Sequence, residues 1–256
     1  MKYLAMIQAR CGSTRLPNKV LLELCGKPIL QRVVERVQKS RFVEEAMVVT
    51  SINKNNLPIL KLCADMGIRA GVGSEDDVLD RYYQYARLLG PEYIIRITAD
   101  CPCFDAGLLD DAILTMDRDA DYRAMVSEEF ADGLDLEIIK YSALERSWKE
   151  AEHSFEREHV TQYIRRHPEI FKLQDFKSPV GYFGDYRWTV DEPEDFEAVK
   201  RIYEYFIYEE GNEAFHYTDI LKYIHLHPEI KEINREYRRN EGLQKSIKED
   251  KIINLQ

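Results

Sequence analysis

Short apolar runs alternate with helical patterns along the first 120 residues, and this alternation constrains the fold more than any other feature of the sequence. Runs of strand type lie at residues Tyr3–Gln8, 46–50, 68–70 and Tyr93–Thr98. Apolar residues recur at helical spacing over residues 29–39, 57–66, 76–89 and 106–116. Four successive strand–helix units predict an α/β fold, with a Rossmann-like, mostly parallel sheet flanked by helices.

The second half of the chain has a less regular pattern. A half-buried strand is predicted at residues 134–139, which places Asp135 and Glu137 on one face. Helices are expected at residues 141–152, at 156–166 and after Pro193, with a strand at 187–190. We therefore predict a main domain over residues 1–210, a smaller insertion at about 127–185, and a helical, charged C-terminal tail over residues 211–256.

The charge balance excludes several classes of protein. The chain has 36 basic and 46 acidic side chains, a net charge of −10, which argues against a nucleic-acid partner. No apolar run approaches the roughly 20 residues that cross a bilayer, and no signal-peptide pattern is found, so we expect no membrane partner and a cytoplasmic location. The five cysteines are expected to be reduced, mostly buried thiols.

A cationic loop follows the first predicted strand directly. It contains Arg10, Arg15 and Lys19, together with Gly12 and the hydroxyl of Ser13. Fixed cations and free backbone N–H groups at the carboxyl end of a strand are suited to a polyphosphate. The loop has neither the Walker A spacing nor the dinucleotide GxGxxG spacing. The alternative is a polar surface loop with solvated arginines.

Two aspartates stand at the ends of predicted strands. Asp100 follows the strand Tyr93–Thr98, and Asp191 follows the strand predicted at 187–190. Carboxylates close to a bound polyphosphate could hold Mg²⁺, which binds through one or two carboxylates plus phosphate oxygens. The alternative for each is a helix N-cap.

The motifs taken together resemble the cytidylyltransferases that activate sugar acids, and in particular the spore-coat polysaccharide biosynthesis protein F group. The resemblance covers nearly the whole chain in order. It rests on segments at residues 7–19 (IQARCGSTRLPNK), 73–82 (GSEDDVLDRY), 96–102 (RITADCP), 132–135 (DGLD), 157–161 (REHVT), 189–195 (TVDEPED) and 239–242 (RNEG).

This resemblance implies a Mg²⁺-dependent nucleotidyltransferase that couples CTP to a small acidic acceptor and releases pyrophosphate, in the service of surface polysaccharide biosynthesis. It implies that residues 1–210 form the nucleotidyltransferase domain and that the insertion carries the acceptor side and dimer contacts of a homodimer. It also implies site residues. The nucleotide would be bound by Ala9, Arg10, Gly12, Ser13, Arg15, Lys19, Ser74, Asp77 and Arg96. The catalytic residues would be Arg10, Lys19, Asp100 and Asp191, with Asp100 and Asp191 as metal ligands.

The acceptor is expected to lie near Asp135, Glu137, His159 and Arg187 in the second half of the chain. Arg187 could pair with an acceptor carboxylate, phosphate or phosphonate, and a structural ion pair is the alternative. Octulosonic and nonulosonic acids, other sugar acids, polyol phosphates and phosphonates all remain open as acceptors. Two other functions remain open as well, a sugar-nucleotide glycosyltransferase and a non-catalytic nucleotide-binding protein.

Overall fold

A computed structural model describes residues 1–239 and 241–253. The β-strands are β1 (Tyr3–Gln8), β2 (Glu23–Leu24), β3 (Lys27–Pro28), β4 (Glu45–Ser51), β5 (Arg69–Gly73), β6 (Tyr93–Thr98), β7 (Tyr122–Met125), β8 (Glu137–Lys140) and β9 (Leu173–Phe176). The α-helices are α1 (Ile29–Val37), α2 (Leu57–Asp65), α3 (Val78–Leu89), α4 (Ala106–Leu114), α5 (Tyr141–Glu150), α6 (Ser154–Glu158), α7 (Gln162–Arg166), α8 (Pro193–Glu204), α9 (Tyr217–Leu226), α10 (Glu229–Glu232) and α11 (Glu241–Lys248). No helix of these residues is long and apolar enough to span a membrane.

Seven strands form one twisted sheet in the order β5-β4-β1-β6-β8-β7-β9. The strands β5, β4, β1 and β6 are parallel, whereas β8 runs antiparallel to both of its neighbours. The central strand β1 pairs with β4 on one side and with β6 on the other, so the carboxyl ends of all three meet at one edge. The predicted Rossmann-like, mostly parallel α/β fold is confirmed.

Helices cover both faces of this sheet, because its central strands are apolar on both sides. Ala5 and Ile7 of β1 face a core formed with α1, α2, α4, α8 and α9. Leu4 and Met6 face a second core, formed with α3, α5 and α7. The alternation along β1 thus fixes a three-layer arrangement that holds the sheet edge rigidly.

Two predicted elements are wrong in the second half of the chain. Residues 187–190 are extended but form no strand, since Arg187 makes only an isolated bridge with Asp132. The helix predicted at 156–166 is broken into α6 and α7 by Val160, which is fully buried and has a φ of 53°. Such a conformation costs a β-branched residue roughly 1–3 kcal/mol, so the surrounding packing imposes it.

The strand predicted at 134–139 begins only at Glu137, and the sequence analysis did not predict β7 or β9.

The C-terminal part of the chain returns to the main body. Phe215 and Ile220 are buried in the same core as α8. Farther along, Ile252 bridges His153, and the Asp250 carboxylate accepts hydrogen bonds from the Ser154 hydroxyl at 3.0 Å and the Phe155 backbone N–H at 3.4 Å. Asn240, part of the 239–242 motif, and residues 254–256 of the predicted tail lie outside the described residues. The division at residue 210 and the insertion at 127–185 stay predictions.

Candidate active site

The 9–19 loop leaves β1 and folds back onto the edge of the sheet. Its backbone is tied down by the Asn56 side chain, whose Oδ1 accepts from the Cys11 N–H at 2.8 Å. Asn18 adopts a left-handed conformation, with a φ of 56°, immediately before the short 3₁₀-helix Lys19–Leu21. Asparagine tolerates that conformation better than most residues, and the turn directs Lys19 back towards the sheet.

Lys19 brings together the two aspartates that the sequence analysis singled out. Its ammonium donates to Asp100 Oδ2 and to Asp191 Oδ1, each at 2.6 Å. Burial opposes ionisation of Asp100, but Lys19 outweighs it and lowers the pKa of this carboxyl group to about 2. The two aspartates conversely raise the pKa of Lys19, against the effect of its burial. The site therefore holds a charged lysine beside an ionised carboxylate.

The backbone places these carboxylates side by side. Asp100 follows β6, and its carbonyl oxygen accepts from the Val190 N–H at 2.8 Å, which draws the 187–191 segment against it. Neither aspartate is the helix N-cap that the alternative interpretation required. Asp105 caps α4 through the N–H of Gly107 at 2.8 Å, and Glu192 is the N-cap of α8.

Two cavities meet at this pair of carboxylates. The loop cavity, of about 300 Å³, is lined by Arg10, Gly12, Ser13, Arg15 and Lys19 among others. The insertion cavity, of about 390 Å³, is lined largely by residues between 124 and 165. Both cavities are also lined by Arg15, Thr98, Asp100 and Asp191. A group bound in either cavity therefore reaches the same two carboxylates.

The predicted nucleotide-binding residues divide into two groups. Five of the six in the 9–19 loop line the loop cavity, and Ala9 is buried at its start. The other three lie elsewhere. The Ser74 hydroxyl accepts from the Asp77 N–H at 3.0 Å, Asp77 pairs with Arg157 at 2.6 Å, and Arg96 pairs with Glu137. A role for Ser74, Asp77 and Arg96 in nucleotide binding stays a prediction.

All four predicted acceptor residues line the insertion cavity, but most of their polar atoms have partners. The buried Glu137 carboxylate accepts hydrogen bonds from Arg96, from the Tyr122 hydroxyl and from the Thr161 hydroxyl. Asp135 is held by Arg239 at 2.7 Å. His159 differs, because its buried Nε2 has no hydrogen-bond partner in the described part of the chain. Burial lowers the pKa of this imidazole, although Glu158 opposes that effect.

Arg187 is engaged by a network of carboxylates. Its guanidinium pairs with Asp132 at 2.5 Å, with the fully buried Asp195 at 2.8 Å and with Asp191 at 3.3 Å. This geometry favours the structural ion pair over a contact with the acceptor. Arg187 thereby orients Asp191 and attaches it to the start of α8.

The sequence analysis missed a polar network beneath the 9–19 loop. Asn56 Nδ2 donates to the Ser51 hydroxyl at 2.6 Å, and that hydroxyl donates to Glu75 at 2.5 Å. The network connects the ends of β4 and β5 to Cys11. Glu75 belongs to the 73–82 motif, but no sequence pattern connects it with Ser51 and Asn56, so only the fold reveals their contact.

A family model described as Cytidylyltransferase matches residues 4–220. The chain belongs to the cytidylyltransferase family. The protein MJ1063 of Methanocaldococcus jannaschii, which is described as uncharacterized, is 34% identical over 251 residues, covering 97% of this chain and 99% of that protein. Spore coat polysaccharide biosynthesis protein SpsF of Bacillus subtilis is 36% identical over 214 residues, covering 78% and 86%. The structure of a cytidylyltransferase from Leptospira borgpetersenii shares 30% identity and superimposes with a TM-score of 0.84, covering 93% of this chain and 99% of that one.

The family resemblance drawn from the motifs is thus confirmed, and the chain is a nucleotidyltransferase. The carboxylates of this cytidylyltransferase also suit a hard cation, because oxygen ligands are those that Mg²⁺ prefers. The described residues contain no group of three or more His, Cys, Asp or Glu side chains placed to hold a metal. An ion held by Asp100 and Asp191 would take its other ligands from water and phosphate oxygens.

Acid unfolding provides a test of the Lys19–Asp100 pair. The pKa of Asp100 is lower in the folded chain than in the unfolded chain, so the pair stabilises the fold above about pH 4 and loses this effect as the pH falls towards 2. We expect Asp100→Asn to be less stable than the wild type by roughly 2 kcal/mol at pH 6, and the difference to shrink below pH 4. Urea unfolding at a series of pH values measures both. A difference that is constant with pH would contradict the ionised pair.

The role of Arg187 in the cytidylyltransferase can be tested by its removal. Arg187→Ala leaves the buried Asp195 carboxylate without its cation, so we expect the free energy of unfolding to fall by about 3 kcal/mol. Arg69→Ala is the control, since Arg69 is half-exposed and pairs with Glu45 at 2.8 Å, and it should cost less than about 1 kcal/mol. Chemical denaturation measures both. A stable Arg187→Ala variant with a raised KM for the acceptor would show that Arg187 binds the acceptor.

Proposed function

We propose that this cytidylyltransferase couples CTP to a small acidic acceptor, such as a sugar acid, a phosphate or a phosphonate, and forms a CMP-linked product and pyrophosphate with the help of Mg²⁺. One observation carries the proposal. Asp100, Asp191 and Lys19 form a charged cluster at the boundary between the loop cavity and the insertion cavity. A transfer between two substrates requires such a boundary, where both reach the same charged groups.

The loop cavity is the place for the CTP triphosphate. Arg10, Arg15 and Lys19 supply cations there, and Gly12 leaves room for a ligand, because a Cβ at this position would meet only Glu75 Oε1, at 4.0 Å. Arg15 pairs with Asp191 at 3.0 Å and with Glu192 at 2.9 Å. It is 41% exposed, so it can exchange these partners for phosphate oxygens at low cost.

The chemistry follows from this arrangement. An acceptor oxygen in the insertion cavity attacks the α-phosphorus in line, the new P–O bond forms, and the bond between the α-phosphorus and the bridging oxygen breaks. Pyrophosphate leaves and the acceptor proton passes to solvent. Lys19, Arg10 and Arg15 neutralise the charge that grows on the leaving group, a type of stabilisation that acts in the transition state. Mg²⁺, held by Asp100 and Asp191, supplies further charge stabilisation when bound.

The finer assignments rest on the relatives and on the sequence. A role in surface polysaccharide biosynthesis is supported by the name of the Bacillus subtilis relative. The homodimer and the acidic character of the acceptor rest on the resemblance in sequence, and the cytoplasmic location is the expectation of the sequence analysis. They are part of the same proposal.

The proposal is tested by pyrophosphate release. Each of the four nucleoside triphosphates is incubated with Mg²⁺ and a panel of octulosonic and nonulosonic acids, polyol phosphates and phosphonates. We expect pyrophosphate with CTP and at least one acid, and none when Mg²⁺ is chelated. Transfer of a sugar with release of a nucleoside diphosphate would indicate a glycosyltransferase instead. Binding of CTP without any turnover across the panel would favour the non-catalytic alternative.

A further inference from the structure

The insertion cavity contains two basic side chains, those of Arg165 and Arg238, that make neither an ion pair nor a side-chain hydrogen bond in the described part of the chain. Most of its other cations are paired, Arg96 with Glu137, Arg187 with Asp132, and Arg15 with Asp191. Arg165 lines the same cavity and is exposed to solvent, and within residues 1–239 and 241–253 it makes neither an ion pair nor a side-chain hydrogen bond. An arginine with five free donors is suited to the planar oxygens of a carboxylate or phosphate.

The break between α6 and α7 directs this arginine into the cavity. Val160 interrupts the helix in a left-handed conformation, and α7 restarts at Gln162. Gln162 and Arg165, three positions apart on one face of α7, line the cavity together. The neighbouring Arg166 points away, pairs with Glu156 at 3.6 Å and lies over the Phe155 ring at 4.9 Å. A helix that continued without a break through Val160 would direct the side chains of Gln162, Arg165 and Arg166 differently.

A second polar group on this segment lacks a hydrogen-bond partner among the described residues, although Glu158 Oε2 lies 3.8 Å from it. His159 lies on the other side of the break and lines the same cavity. Its buried Nε2 has no hydrogen-bond partner among the described residues. A buried imidazole nitrogen normally has a partner, so this atom indicates a position for a polar ligand atom. His159 and Arg165 thus present a hydrogen-bonding nitrogen and a free cation to one cavity.

We propose that Arg165 binds the anionic group of the acceptor and that His159 hydrogen-bonds one of its hydroxyl groups. This assignment rests on the proposed function and narrows its substrate class. The acceptor is a hydroxylated chain with one carboxylate or phosphate group. Nearby Glu137 accepts hydrogen bonds from Arg96, Tyr122 and Thr161 and none from Arg165. Tyr122 and Glu137 nevertheless attract the Arg165 guanidinium and raise its pKa, so an acceptor anion would share this charge with them.

Binding of matched ligands tests this proposal. The full chain is loaded with Mg²⁺ and α,β-methylene-CTP and titrated with octulosonate, its neutral amide, ribitol 5-phosphate and ribitol by isothermal calorimetry. We expect an acid to bind at least about 100-fold more tightly than its neutral counterpart. The two acids distinguish a carboxylate from a phosphate as the anion. Arg165→Ala should weaken that binding about 10- to 100-fold, and Arg165→Lys should restore part of it.

Arg166→Ala is the matched control, because it removes the adjacent guanidinium from the same short helix while leaving the cavity unchanged. Its affinities should stay within about twofold of the wild type, and the affinity for the CTP analogue should be unchanged in every variant. Equal acid binding by Arg165→Ala and the wild type would overturn the proposal. Failure of the wild type to bind either acid, or a loss confined to Arg238→Ala, would also overturn it. If the acids bind through Arg165 but Mg²⁺–CTP does not bind, the proposed function fails instead.

Discussion

Asp100→Asn is expected to lower turnover by about 10³-fold while leaving the fold intact. The carboxylate lies 2.6 Å from the Lys19 ammonium at the boundary of the two cavities. An amide keeps the shape of the side chain but removes the negative charge that would hold a cation there. Steady-state pyrophosphate release with CTP and the best acceptor of the panel measures the effect.

The control for this variant is Asp65→Asn, which removes a carboxylate from the exposed end of α2, far in sequence from the site. It should retain turnover within about twofold of the wild type. Circular dichroism and urea unfolding show whether Asp100→Asn is folded. Near-normal turnover in a folded Asp100→Asn variant would refute the metal assignment of this carboxylate.

Lys19→Met is expected to reduce kcat/KM for CTP by about 10²- to 10³-fold, with little change in the KM for the acceptor. The lysine lines the loop cavity but is not among the residues that line the insertion cavity. Its loss also removes the cation that Asp100 and Asp191 share and leaves Asp100 without an ion-pair partner among the described residues, so a phosphate would meet an unneutralised carboxylate. Kinetics with each substrate varied in turn separate the two effects.

Lys27→Ala is the comparison for this second variant. Lys27 is also a partly buried lysine, paired with Glu35 at 2.9 Å, but it lies outside both cavities. Its removal should leave both KM values close to those of the wild type. An increase in the acceptor KM alone in Lys19→Met would mean that the loop cavity does not hold the nucleotide.

The sequence was a good guide to the first half of the fold. The predicted strands Tyr3–Gln8 and Tyr93–Thr98 match β1 and β6 to the residue, because buried central strands must be apolar on both faces. The strand predicted at residues 187–190 is wrong, because an extended segment has the same sequence pattern whether or not it pairs with a neighbouring strand. The strands β7 and β9 are four residues long, too short for alternation to stand out.

The candidate site also combines residues that the sequence predicts with contacts that it does not predict. Asp100 and Asp191 could be selected from the sequence, because each ends an extended segment at the edge where ligands bind. The position of Lys19 between these two aspartates could not be predicted, because local sequence patterns carry no information on contacts of such long range. The role of Arg187 depends on Asp132 and Asp195, and the position of the Arg165 guanidinium depends on the backbone of Val160. These roles are set by tertiary contacts.

The contact between Lys19 and Asp191 joins residues 172 positions apart. Contacts of such separation close a large loop of chain, at an entropic cost that the other contacts of the fold offset. A growing chain thus contains its 9–19 loop well before Asp191 has been synthesised. Any fragment that stops short of residue 191 lacks half of the carboxylate pair, and under the proposed function we expect it to be inactive.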